Sequence, residues 1–190
     1  MNRYLDFEDD IEIIDNKIKE LNEDNNNFNN EKIKLLEKKN NLLKAIYSNL
    51  TAWDKVQVAR HPERPKVSAI FERLLTDFTP LAGDRNYAED HAVIAGMARF
   101  RGQSVMVMGT EKGSTTEERI KRNFGMARPE GYRKASRLMN LAGRFGLPLL
   151  SFVDTAGAYP GRGAEERGQA EAIASAIRGC LNLPTPMVAA

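Results

Sequence analysis

The sequence predicts an α/β core behind an N-terminal α-helical hairpin, and three observations carry that reading. Residues 1–50 contain neither glycine nor proline and repeat apolar residues three and four apart. Two strand-like runs, AVIAGMARF and QSVMVMG, are parted by Arg101-Gly102. The apolar run Leu147–Phe152 leads into a glycine-rich loop and then an alanine-rich helical pattern. A chain of 190 residues has room for one ordinary domain and an appendage.

The hairpin comes first, over residues 1–50. Ile11, Ile14, Ile18 and Leu21 define one apolar stripe, and Ile33, Leu36, Asn40, Leu43, Tyr47 and Leu50 define another. Asn25 to Asn30 lies between them, a run of poor helix formers that suits a turn. Short amphipathic helices need tertiary packing, so the seams are expected to serve assembly and not chemistry.

Residues 51–84 read as a helical connector. Trp53, Val56 and Val58 suggest a short helix, and the prolines of HPERP then interrupt regular structure. Phe71, Leu74, Leu75 and Phe78 predict a further helix stopped near Pro80. His61 and His91 have no second histidine or cysteine in a ligand spacing, so no metal is expected on this chain.

The core is assigned to residues 85–190. Arg101-Gly102 predicts a tight hairpin between the two strand-like runs. Thr115 to Asn123 is charged and partly helical, and its Arg119, Lys121 and Arg122, with Lys112 nearby, read as a solvated face. The competing reading is a contact with an acidic carrier protein or a CoA phosphate. Tyr132, Ala135, Met139, Ala142 and Phe145 mark the apolar face of the next helix, closed by Gly146. A strand over Leu147–Val153, the glycine loop and a helix over Ala164–Arg178 complete the order ββαβα.

The loop is the most informative stretch. Asp154 ends the strand, while Gly157, Gly161 and Gly163 allow close approach of backbone to a ligand. Glu165 and Glu166 suit the positive end of the following helix. It is not a Walker A loop, because no GK pair exists. Nor is it a dinucleotide fingerprint, because Gly161-Arg-Gly163-Ala-Glu ends in Glu166. Its free N–H groups suit an anion or a developing oxyanion, and a plain strand-to-helix turn is the competing reading.

The residues of this loop, DTAGAYPG followed by GAEERGQAEAIA, closely resemble the α subunit of bacterial acetyl-CoA carboxylase carboxyltransferase. Ala156 stands where that family usually has proline, a change that removes no N–H donor. LDFE at Leu5–Glu8, ARHPERP at Ala59–Pro65, LAGDRNYAED at Leu81–Asp90, RNFGMARPEGYRKA at Arg122–Ala135 and RFGLPLLSFVDT at Arg144–Thr155 resemble it in the same order. The resemblance is weakest from Asp24 to Asn41.

That resemblance implies a crotonase-like fold of repeating ββα units, and transfer of a carboxyl group from carboxybiotin to acetyl-CoA, giving malonyl-CoA for fatty acid synthesis. It implies that the biotin carboxyl carrier protein presents the biotin. Zinc and most acetyl-CoA contacts would lie on a carboxyltransferase β subunit, in an α2β2 assembly. On this chain it points to the backbone N–H groups of Gly157 and Ala158 as oxyanion donors, with Thr155, Tyr159, Pro160 and Gly161 forming the biotin-side loop. The family continues past a strand like Pro186–Ala190 with a second glycine-rich loop. A C-terminally truncated core with little activity by itself is therefore expected, and a non-catalytic module that binds the β subunit is the alternative. A hydratase would need acid–base carboxylates; Asp154, Glu165 and Glu166 are candidates by type but are better explained as loop support and first-turn charges. A serine protease would need a Ser-His-Asp site that neither histidine suggests.

Composition agrees with this reading. The formal net charge of +2 makes no case for nucleic acid. Cys180 is the single cysteine, which excludes an internal disulfide and leaves a buried, inert thiol as the expectation. No apolar run reaches the length of a membrane span. The acidic start, with Asp6, Glu8, Asp9 and Asp10, resembles neither a signal nor a transit peptide, so a cytoplasmic location is expected.

Overall fold

The computed structural model describes residues 4–23 and 29–190, with the side chains of 22, 23 and 29 left aside. Most of the predicted Asn-rich turn lies outside the described residues. The chain forms two compact units, Met1–Arg64 and Pro65–Ala190.

In the first unit, α1 (Asp9–Glu23) and α2 (Asn29–Ser48) pack against each other, and α3 (Ala52–Ala59) follows. Ile11, Ile14 and Ile18 fall on one face of α1 and are buried there. Lys39 of α2 pairs with Asp15 at 2.6 Å, and the Tyr47 hydroxyl donates to Glu8 Oε1 at 2.7 Å. These rungs run in opposite directions along the two segments, so the pair is antiparallel. The inward face of α2 differs from the expected stripe. Leu35, Lys39, Leu42, Leu43 and Ile46 are half-buried, whereas Ile33, Leu36 and Tyr47 are exposed. Aliphatic residues stand on both sides of this helix, and Lys39, paired with Asp15, lies on the inward one. Thr51 caps α3 by accepting the Asp54 N–H, and Asp54 accepts the Thr51 N–H in return.

In the second unit, α4 (Val67–Leu74) precedes a five-stranded sheet in the order β1-β2-β3-β4-β5. β1 (Leu75–Pro80), β2 (Val93–Phe100) and β3 (Gln103–Thr110) are antiparallel neighbours, while β4 (Leu149–Phe152) and β5 (Met187–Ala189) extend the sheet in parallel. Between β3 and β4 lie α5 (Thr116–Lys121) and α6 (Pro129–Phe145), and between β4 and β5 lie α7 (Arg162–Glu166) and α8 (Gln169–Leu181). Parallel neighbours require such crossovers, and here helices supply them.

The predicted helix over Phe71–Phe78 ends at Leu74, and Leu75–Pro80 is a strand instead. Leu75 pairs with Phe100 at the free edge of the β2–β3 hairpin. An unpaired ladder edge outweighs the local helical spacing, and Pro80 is tolerated because β1 is itself an edge strand. The sheet therefore begins before residue 85, where the core was expected to start. The hairpin turn matches expectation: Arg101 and Gly102 both have positive φ, as a two-residue primed turn requires.

One face of the sheet carries Ala95, Met106, Met108 and Leu149 against Leu138, Met139 and Ala142 of α6. The other carries Leu75, Ala98, Val105 and Val107 against Val67 and Phe71 of α4. α6 ends at Gly146 in the left-handed conformation, as its sequence requires. Its buried face nevertheless includes Lys134 and Leu138, while Phe145 is 66% exposed. The helix expected over Ala164–Arg178 is broken at Gly168, where φ is +78°. Cys180 is exposed and not buried, with its thiol 3.5 Å from Met139 Sδ at the edge of the α6–α8 contact. No helix among the described residues is long and apolar enough to cross a membrane.

Candidate functional site

The six residues singled out from the sequence lie together on the loop that leaves the C-terminal end of β4 and enters α7. Ligands of α/β sheets are bound at such strand ends. Three segments distant in sequence hold the loop. The Asp154 N–H donates to Thr110 Oγ1 at 2.6 Å, and the Asp154 carboxylate is ion-paired with the Lys112 ammonium. The Thr155 hydroxyl reaches Gly125 O at 2.7 Å. Farther along, the Tyr159 N–H donates to Ala127 O at 3.0 Å, and Gln169 Nε2 donates to the same carbonyl at 3.0 Å.

Two candidate donors differ in state. The Gly157 N–H is engaged by Thr155 Oγ1 at 3.1 Å. The Ala158 N–H has no acceptor among the described residues. Ala158 is half-buried, so this donor is partly shielded from bulk water yet unpaired within the chain. Such a group can meet a ligand oxygen without first breaking an internal bond. Gly157 has a φ of +141° and open space where a Cβ would stand, so backbone conformation and not crowding demands glycine there.

Gly161 is required for another reason. A Cβ on it would stand 2.1 Å from Cε1 of the Tyr159 ring. Tyr159 thus folds back over the loop, and the Arg128 guanidinium lies 4.8 Å from its ring centroid. Gly161 O accepts the N–H groups of Ala164 and Glu165, which starts α7, while Pro160 is exposed. Past α7, Arg167 forms a two-pronged pair with the buried Glu130 at 2.6 and 3.2 Å and stacks on the Tyr87 ring. The hydrogen bond to Glu130 raises the Arg167 pKa against burial. This pair ties α7–α8 to the start of α6.

The Glu165 and Glu166 side chains make no bond to the loop among the described residues; Glu165 stands in the first turn of α7 and Glu166 pairs with Arg162 on the surface. Of the expected basic face, Arg122 donates to His91 O at 3.0 Å and Lys112 is committed to Asp154, which leaves Arg119 and Lys121 in the last turn of α5. Sequence reasoning missed Thr110, Lys112, Gly125, Ala127 and Gln169 as supports of the loop. Gly125 and Gln169 fall within stretches that resemble the family; Thr110 and Lys112 had no comparable signal. Among the described residues no group of three or more His, Cys, Asp or Glu side chains is arranged to hold a metal ion. A cleft of about 470 Å³ lined by Asp84, Arg133, Arg137 and Arg144 contains none of the loop residues.

Comparison with known proteins places these features. A family model described as acetyl co-enzyme A carboxylase carboxyltransferase-like matches residues 4–190. The acetyl-coenzyme A carboxylase carboxyl transferase subunit alpha of Rhodopseudomonas palustris strain HaA2 is 57% identical over 100% of this chain, and that of strain BisA53 is 58% identical. The chain spans about 60% of the length of these relatives. Among solved structures, the β subunit of P. aeruginosa geranyl-CoA carboxylase aligns with a TM-score of 0.54 at 22% identity, covering 68% of this chain and 22% of that one. Transcarboxylase 12S aligns with a TM-score of 0.54 at 20% identity, covering 65% of this chain and 22% of its own. These structural likenesses show the crotonase-like fold of carboxyltransferase domains. The matched stretch, with the glycine loop set at the end of β4, makes this chain a member of the acetyl co-enzyme A carboxylase carboxyltransferase-like family.

Proposed function

We propose that this chain is the α-type part of an acetyl-CoA carboxylase carboxyltransferase, which moves a carboxyl group from carboxybiotin on its carrier protein to acetyl-CoA and so makes malonyl-CoA. The observation that carries the reading is the half-buried Ala158 N–H without an acceptor among the described residues, in a chain 57% identical over its length to a carboxyl transferase subunit alpha. Carboxybiotin, a substrate brought by the carrier, supplies the activated carboxyl group. The chain's part is to receive negative charge on an oxygen and to hold two ligands in register. Ala158 offers one N–H directly, and Gly157 offers a second once the Thr155 side chain changes χ1 and carries its oxygen away. Tyr159, propped by Gly161 and Arg128, gives the loop an aromatic wall, and Pro160 forms its outer rim. No side chain of the loop needs to titrate, because backbone donors stabilise charge as it develops.

The remaining partners follow from the same reading: a β subunit that holds zinc and most of the acetyl-CoA contacts, an α2β2 assembly, and a cytoplasmic location. The alternative, a module that binds the β subunit without turnover, is separated by one assay. The chain and a version extended to the relatives' full length are each mixed with β subunit, acetyl-CoA and carboxybiotin, and malonyl-CoA is measured. Turnover by the extended chain supports the reaction. Tight binding of the β subunit with no product from either chain supports the assembly module and overturns the enzyme reading.

A further inference from the structure

We infer that Lys112 is the positioning residue of the glycine loop, acting through Asp154 on the direction of the Thr155–Ala158 backbone; this rests on the loop being the oxyanion site. An ordinary surface ion pair contributes little to stability. The Lys112–Asp154 pair differs in three respects.

First, it is half-buried, with side chains 26% and 23% exposed, so water competes with it less. Second, Asp154 is held at both ends. Its N–H is bound to Thr110 Oγ1 and its carboxylate to Lys112, two residues farther along the same chain segment. The first residue of the loop is thereby clamped in orientation as well as position. Third, the Lys112 side chain also packs against the turn that receives Thr155. A Cβ on Gly125 would stand 2.7 Å from Lys112 Cγ and 3.4 Å from Asp154 O. That turn runs through three successive residues with positive φ, Asn123, Phe124 and Gly125, two of them not glycine. Such backbone persists only where its surroundings over-determine it. Lys112 touches both the strained turn, which accepts the Thr155 hydroxyl, and the carboxylate that opens the loop. Its methylenes support the turn while its ammonium sets Asp154. Removing it leaves a half-buried carboxylate without its cation and frees the loop to rotate about Asp154.

Two measurements test this, and the first does not depend on the reaction. In the 190-residue chain, Lys112→Met and Asp154→Asn should each speed exchange of the Asp154 and Gly157 amides, the hydrogen-bonded ones of the loop's first turn, by about tenfold or more, with β3 and α6 amides unchanged and the double variant no faster than either single one. In an extended chain assembled with its β subunit, Lys112→Met should lower kcat by about 10- to 100-fold, the usual effect of a small misplacement, with KM for acetyl-CoA and the melting temperature held. Lys112→Arg should recover most of that loss. Unchanged loop exchange in Lys112→Met overturns the inference, as does a kcat loss that follows a falling melting temperature and is not recovered by arginine. If the unsubstituted assembly shows no turnover, the proposed reaction fails, and the exchange comparison alone decides the role of Lys112.

Discussion

Thr155 Oγ1 accepts the N–H of Gly157 at 3.1 Å, so one of the two adjacent backbone donors in the glycine loop is closed by the loop's own hydroxyl. The same hydroxyl has Gly125 O within 2.7 Å, an acceptor that holds it while Gly157 is engaged. The loop thus presents one open donor, Ala158, beside one that a χ1 rotation of Thr155 releases.

Ala158→Pro removes the open donor. Because that N–H has no acceptor among the described residues, the substitution breaks no hydrogen bond seen there. In the assembled enzyme it should lower kcat by roughly two to three orders of magnitude, the usual effect of losing one oxyanion donor. Circular dichroism is used to check that the fold is kept, and steady-state kinetics then decide. Wild-type turnover in a folded variant would exclude this N–H as a donor.

Gly161→Ala should displace the Tyr159 ring, since the new methyl would stand 2.1 Å from it. The effect belongs to the loop, so the melting temperature should move by only a few degrees, on the order of a 1 kcal/mol change. Tyrosine fluorescence is confounded by the other tyrosines. Exchange of the Tyr159 amide, bound to Ala127 O, reads the change directly. An unaltered rate would show that the ring is free to yield.

Leu138→Ala tests the core on which the loop stands. Leu138 is fully buried against β2, β3 and β4 residues. A loss of about 2–5 kcal/mol is expected, seen as a lower midpoint in urea with an unchanged slope. A loss below about 1 kcal/mol would mean that the site collapses around the smaller side chain.

Asp84 gives a pH dependence with a defined sign. Burial opposes its charge, but the N–H groups of Tyr87, Asn86 and Ala88 outweigh that and hold its pKa below the usual carboxylate value. A depressed folded pKa contributes stability above the unfolded value and loses it as pH falls through the folded one. The Asp84–Ala88 turn should therefore stay closed at neutral pH and open only at pH values below the normal aspartate range. The Ala88 amide, bound to Asp84 Oδ1 at 3.1 Å, reports this by exchange. In Asp84→Asn the opening should lose its acid dependence, and a turn that opens equally at all pH values in the unsubstituted chain would refute the assignment.

Ile14→Asp probes the helical pair of the first unit. Ile14 is 5% exposed on the packed face of α1. An ionised carboxylate there has no partner, so a loss of several kcal/mol is expected, enough to melt α1 against α2 at room temperature. Retained helicity with only the chemical step lost would contradict an assembly role for the pair.

What the sequence determined by itself are the features whose cause is local. Arg101-Gly102 demanded a primed turn because both residues must take positive φ, and Gly146 ended α6 because glycine reaches the left-handed cap without strain. The loop from Thr155 to Gly161 was legible in the same way, and its likeness to a family named the chemistry to test. The tertiary structure decided whatever had two local solutions. Phe71–Phe78 had helical spacing throughout, yet the open edge of the β2–β3 hairpin drew Leu75–Pro80 into the sheet. α2 had apolar residues on both sides, and only its packing against α1 decided which one faces inward. Gly168 could have stayed inside one helix, but α7 and α8 break there with positive φ. Above all, the state of each donor depended on residues far apart in sequence. Thr110, Lys112 and Gly125 reach the loop only once β3, β4 and the Asn123–Gly125 turn are assembled, because hydrogen bonds and ion pairs act over a few ångströms in space and no spacing along the chain encodes that distance.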